Sequence, residues 1–241
     1  MAPGETGLMK RHLLFLTAMS SFVLGVCTAP RASSQNQPPR FDHVVRDDIF
    51  KGFSGDREAM ARGLGRAADV LRADPNHAEA MVWVGSGKAF EAGEMFQKGD
   101  MQNGMRVWNE GLAMMNRAVE LEPSNIGVRI PRGATLAAAT RNMPPAIAEP
   151  LIRLALGDYA AVHEMQKDSL DRLSEHARGE LLMGLADLSE RSGGEWREWA
   201  RRVIEGLPAN SAYARRAAIW IEKGELSPAV RTCLGCHAGG Q

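Results

Sequence analysis

Two prolines set the frame for this chain. Asp74-Pro75 and Glu122-Pro123 each close an apolar helical pattern, and a glycine follows each proline ten residues on, Gly85 and Gly133. A proline lacks the N–H that a continuing helix needs, and its ring clashes with the turn before it, so each pair is a stop. Asn76 and Asn125 stand just after the stops, where an amide side chain helps cap the next helix. A glycine one turn or more into that helix lets a neighbouring helix approach closely. The pattern therefore specifies pairs of helices joined by short breaks, and no strands.

A third copy runs from Leu181 to Pro208, with Gly184, Trp196, Ala200 and Val203 in between. Its Gly-to-Pro interval of 24 residues suits a helical hairpin of about 34 residues. On these residues, with Ala78 and Ala80 beside Gly85 and Ala118 before Pro123, the chain resembles the tetratricopeptide repeat family. The resemblance covers residues 55–223. It implies an all-α fold of helical hairpins stacked as a short solenoid, whose concave surface holds a protein partner. Pro75 and Pro123 are 48 residues apart, so the middle repeat carries about 14 extra residues, expected between Glu91 and Val107. Pro131 falls early in an expected helix, where it would kink the helix or delay its start.

Composition fits this frame. With 29 Lys+Arg against 29 Asp+Glu, the net charge is zero, which argues against nucleic acid, where a basic face must neutralise phosphates. Met114, Met115, Ala118, Val119 and Leu121 form one apolar stripe, and Leu181, Leu182, Leu185 and Leu188 another; both read as packed core. The ten methionines beyond residue 34 read as gap-fillers between helices. Arg215, Arg216 and Lys223 read as a solvated face.

The N-terminal segment reads as an address. Lys10, Arg11 and His12 precede an apolar run from Leu13 to Cys27, followed by the small-residue exit Ala32-Ser33-Ser34. That is the layout of a secretory signal over residues 1–34. Fifteen helical residues span about 22 Å, short of a hydrocarbon core of about 30 Å, so a permanent transmembrane helix is disfavoured. Leu24-Gly25-Val26-Cys27 resembles a lipobox, which makes a membrane-anchored lipoprotein through Cys27 the alternative to a freely periplasmic protein. Residues 35–54 read as a polar, Pro-containing leader and a first short helix.

One chemical motif stands near the end, in residues 224–241. Ser227-Pro228 is a helix-start pair, and on the helix it opens Cys233, Cys236 and His237 sit at i, i+3 and i+4, on one face. Two thiols so placed can each form a thioether with a vinyl group of a haem, and the adjacent imidazole can ligate its iron. C-x-x-C-H thus reads as a covalent attachment site for one c-type haem, with His237 as proximal ligand. Export agrees with that reading, because covalent haem attachment happens after export. Competing uses of Cys233 and Cys236 are a disulfide, a zinc site and an inert tail. A thiol catalyst expects a βαβ context, and zinc a second Cys/His pair; the sequence offers neither.

Members of the cytochrome c family usually carry this motif near their start, followed by a domain that supplies a distal ligand. Here only four residues follow His237, so a sixth ligand must come from upstream, from another protein, or not at all. Arg141-Asn142-Met143-Pro144-Pro145 is similar to the Met-Pro-Pro run of those proteins and makes Met143 the first candidate; His163 and His176 follow.

No G-x-S-x-G, H-E-x-x-H or Walker loop occurs, and no motif identifies a small-molecule substrate. Gly85-Ser86-Gly87-Lys88 lacks the glycine and hydroxyl residue of a phosphate loop and falls inside an expected helix. The expectation is an exported mono-haem protein for electron transfer or redox sensing, not an enzyme on its own, with a helical body that docks a partner. The alternative is a haem-free periplasmic interaction scaffold.

Overall fold

The stops and caps of the sequence become the joints of the fold. In a computed structural model, residues 41–224 are described. Nine α-helices occupy them: α1 Asp42–Phe53, α2 Arg57–Ala73, α3 Ala78–Gln97, α4 Met101–Leu121, α5 Ile126–Ala139, α6 Pro145–Gln166, α7 Glu175–Arg191, α8 Trp196–Gly206 and α9 Ala212–Lys223. Short 3₁₀ turns at Thr140–Asn142 and Lys167–Arg172 flank α6, and no strand occurs among the described residues. The protein is all-α.

The two proline stops build the same joint twice. After Pro75, His77 N donates to the Asp74 carbonyl at 3.1 Å; after Pro123, Asn125 N donates to the Glu122 carbonyl at 3.1 Å. The cap falls two residues past each proline. Asn125 Oδ1 accepts from Gly127 N at 2.7 Å, and His77 Nδ1 accepts from Ala80 N at 3.1 Å. Asn76 therefore does not cap α3: it sits one position too early, and its N–H is taken by Asp74 Oδ1 at 3.0 Å. Pro131 does not delay α5, which starts five residues before it and runs through it. Its missing N–H leaves only the Gly127 carbonyl without a helical donor.

The stretch between Glu91 and Val107, where extra residues are expected from the sequence, is mostly helix. The stretch 91–107 forms the end of α3, a tight turn at Lys98–Asp100 with Gly99 at φ 82°, and the start of α4. The two helices reach 20 and 21 residues, against 14 for α5. Near its turn, Phe96 packs where a side chain on Gly104 would stand, 2.5 Å from the ring.

The odd-numbered helices lie side by side, running the same way. Asn125 Nδ2 reaches Glu79 Oε1 at 3.1 Å between the starts of α5 and α3, and Thr135 Oγ1 reaches Ser86 Oγ at 2.9 Å further along. Arg191 at the end of α7 donates to the Ala137 carbonyl (2.9 Å) and to Thr140 Oγ1 (2.5 Å) at the end of α5. Tyr213 OH meets Glu180 Oε1 at 2.7 Å between the starts of α9 and α7, and Trp220 Nε1 meets Glu190 Oε1 at 3.2 Å between their ends. The even-numbered helices pair with them as antiparallel hairpins.

Close approach is set by glycine. An added Cβ on Gly85 would lie 2.8 Å from the Gly111 carbonyl oxygen, and one on Gly111 would lie 2.7 Å from that of Gly85. The α3–α4 crossing is thus backbone against backbone. Tyr159 of α6, 3% exposed, fills the space over both Gly133 and Gly184 and ties α5 to α7. Met115, Ala118, Val119, Leu181, Leu182, Leu185 and Leu188 are all buried in the core between the helices.

Candidate functional site

The haem-motif residues Cys233, Cys236 and His237 lie outside the described residues, as does Cys27. The upstream candidates are all placed. Met143 follows the 3₁₀ turn at Thr140–Asn142 with extended backbone (φ −94°, ψ 148°), which the following Pro144 demands. Its half-buried side chain packs against the core. Pro145 then opens α6 in the first helical turn, where its missing N–H costs nothing. Arg141, two residues before Met143, is anchored to Asp187 Oδ2 at 2.9 Å.

The four histidines of the described residues differ in what their rings already do. His43 is more than half exposed beside Asp42, and His77 Nδ1 is engaged as the cap of α3. His176 Nδ1 lies 2.7 Å from Tyr213 OH, which also meets Glu180. His163, one turn after Tyr159 on α6, is half-buried, and its ring meets Trp199 of α8 edge-on with centroids 5.0 Å apart. Neither His163 ring nitrogen has a hydrogen-bond partner among the described residues. Burial, with the nearby Arg202 guanidinium, holds its pKa below the ordinary histidine value, so this ring resists protonation. Arg202 itself stacks over Trp199, 4.8 Å from the ring centroid.

Beside this aromatic corner, Trp196 and Trp220 stack face to face with centroids 4.4 Å apart and planes 13° from parallel. Trp220 is fully buried and stands four residues before Gly224, the last described residue. The end of α9 therefore lies against the start of α8.

Two buried charge clusters escaped the sequence reading. Asp158 of α6 is wholly buried and takes both arms of Arg132, Nε to Oδ2 and Nη2 to Oδ1, each at 2.7 Å. Arg129 adds a third bond at 2.8 Å, and the remaining Arg132 arm reaches Asn116 Oδ1 at 3.0 Å. Asp187 of α7 holds Arg141 and Arg191 in the same two-to-one ratio. Both clusters fasten helices together, Asp158 joining α6 to α5 and Asp187 joining α7 to the turn that ends α5. Among the described residues, no three His, Cys, Asp or Glu side chains gather to hold a metal ion.

An open cleft of about 730 Å³ is lined, among the described residues, by Arg46, Asp47, Phe50 and Lys51 of α1, Ser54 and Asp56 just after it, and His176 at the start of α7. It combines both charge signs with one aromatic face. No helix of the described residues is long and apolar enough to cross a membrane.

The chain matches no protein-family model, no curated protein and no solved structure.

Proposed function

We propose that this protein is an exported, mono-haem c-type protein whose helical body docks a protein partner and carries the haem beside it, for electron transfer or redox sensing. The single observation that carries the reading is Cys233-Leu234-Gly235-Cys236-His237 at one end of a chain whose other end has the layout of a secretory signal. The donor set fits the group: two thiols for thioethers and an imidazole for the iron. When bound, haem c supplies a one-electron couple. The residues' part is to tether it through Cys233 and Cys236 and to tune it through His237. Met143 remains the distal candidate named from the sequence.

Parallel odd-numbered helices, with glycines at the α3–α4 crossing and under Tyr159, support a tetratricopeptide-like stack in which residues 55–223 form the docking body. The membrane-anchored form through Cys27 is the alternative placement. A haem-free periplasmic scaffold is the second reading, for which the cleft beside α1, with both charge signs and one aromatic face, is a surface that could take a peptide.

Production with the native N-terminus in a host that matures c-type haem separates the two readings. A haem-stained band on a denaturing gel and a mass gain of one haem are expected. Both vanish in the double variant Cys233→Ala, Cys236→Ala. A haem-free exported protein leaves the scaffold.

A further inference from the structure

We propose that α6 pairs, antiparallel, with α6 of a second copy of this chain, through an apolar stripe that the described helices leave open. The inward side of α6 is already used: Ala148, Ile152 and Ala155 are buried where it meets α5 and α7. Residues three and four apart share one face of a helix. Ile147, Pro150, Leu154, Gly157, Ala161 and Met165 therefore line a second face along the whole of Pro145–Gln166. Ile147 is 56% exposed and Met165 40%; Pro150 and Gly157 are exposed, and Leu154 and Ala161 are half-buried. No charged side chain interrupts this stripe, since Asp158 at its inner margin is wholly buried. The exposed face of α8, by contrast, carries Glu198, Arg201, Arg202 and Glu205. A continuous stripe over 22 residues, about 33 Å of helix, is a contact surface rather than scattered exposure. Nothing lies within 4 Å of a Cβ added at Gly157. With Ala161 one turn on, the middle of the stripe is low enough for another helix to come close.

Charge along one margin names the occupant. Arg153 and Glu164 are exposed and flank the stripe on the same side. Each is paired within its own helix, Arg153 with Glu149 and Glu164 with Lys167. When two copies of one helix pack antiparallel about a two-fold axis, side chains on the same flank face each other across the seam. With that axis at residue 158, Arg153 faces Glu164 of the second copy, and Glu149 faces its Lys167. The same register sets Leu154 against Ala161 of the second copy and Pro150 against its Met165. One register thus satisfies the charges and the apolar contacts together, and the symmetry makes each contact twice. The stripe supplies the association, and the charged margin fixes partner and direction.

This pairing does not rest on the haem reading, and its test leaves the haem aside. Sedimentation equilibrium of the full chain, over a wide range of concentration, is expected to reach twice the mass of one chain. Gly157→Glu places a charge in open space, so the fold is kept and far-UV circular dichroism should not change. It also brings like charges together near the axis, and association should weaken by about 100-fold or more. Arg153→Glu and Glu164→Arg, each alone, set like charges across the seam and should weaken association by about tenfold. The two changes combined exchange the signs and should restore it. A chain that stays single at every concentration overturns the proposal and leaves the stripe to a different partner. A dimer unaffected by Gly157→Glu also overturns it, because the interface then lies elsewhere. A double variant no tighter than either single one overturns the antiparallel register.

Discussion

At the residue scale, the strongest commitments are the buried charges. Asp158 has no exposure and neutralises two arginines, so Asp158→Ala leaves Arg132 and Arg129 without their counter-charge. Removing one partner of a buried pair costs about 3–5 kcal/mol. For a body of this size that is a fall in Tm on the order of 10 °C. Glu120→Ala breaks an exposed pair with Arg117 and should change Tm by no more than about 1–2 °C. Thermal melts of the two variants, side by side, check both figures.

Asp48 gives a pH prediction. Its hydrogen bond from Arg66, aided by Arg62, holds its pKa below the usual 3.8. The folded state thus releases this proton more readily than the unfolded chain. The stabilisation is complete above the usual value and is lost as pH falls through the lower, folded one. Denaturant melts from pH 5 down to pH 2 should show a shallower loss of stability in Asp48→Asn than in the parent chain. Equal slopes would mean that the Arg66 pair contributes nothing.

At the element scale, glycine spacing decides which helices meet. Gly85→Ala would place a methyl 2.8 Å from the Gly111 carbonyl, on rigid backbone, so the α3–α4 crossing must open. The cost should be about 1–3 kcal/mol even after the gain in helix propensity. Gly65, exposed in mid-α2 with nothing within 4 Å of an added Cβ, should behave oppositely. Gly65→Ala is expected to stabilise by about 0.5–1 kcal/mol. Chemical denaturation of both variants tests the sign of each effect.

These elements also show what the sequence could carry. The stop after Asp74 and Glu122, the close approach at Gly85, Gly133 and Gly184, and the buried stripes on α4 and α7 were legible because each is a local signal with a fixed spacing. The exact cap of α3 was not, because Asn76 and His77 compete for one position and only the turn geometry decides. Nor was the Asp158 cluster, since its partners are 26 and 29 residues away and nothing local distinguishes a fastening arginine from a solvated one. His163 was legible as a candidate but not as a ring without a hydrogen-bond partner among the described residues. That contrast rests on where Tyr213, Ala80 and Trp199 fall in space.

At the scale of the whole molecule, the helical body and the haem motif pose one question. On the proposed reading, the helical body offers a partner surface and Cys233, Cys236 and His237 offer the chemistry. On that reading, too, the body carries the haem as one folded unit with it. Loading the haem should then stabilise the body, because anything bound to the folded state alone raises Tm. The Cys233→Ala, Cys236→Ala protein should therefore melt below the haem-loaded parent, and equal melting temperatures would mean that the haem hangs free of the body.

The most direct test is the intact mass of the exported chain, measured after denaturation. With a covalent haem, the mass is greater by one haem, and the gain is lost when Cys233 and Cys236 are both replaced by alanine. A polypeptide mass with no addition, from a protein correctly exported in a haem-maturing host, would contradict covalent haem attachment.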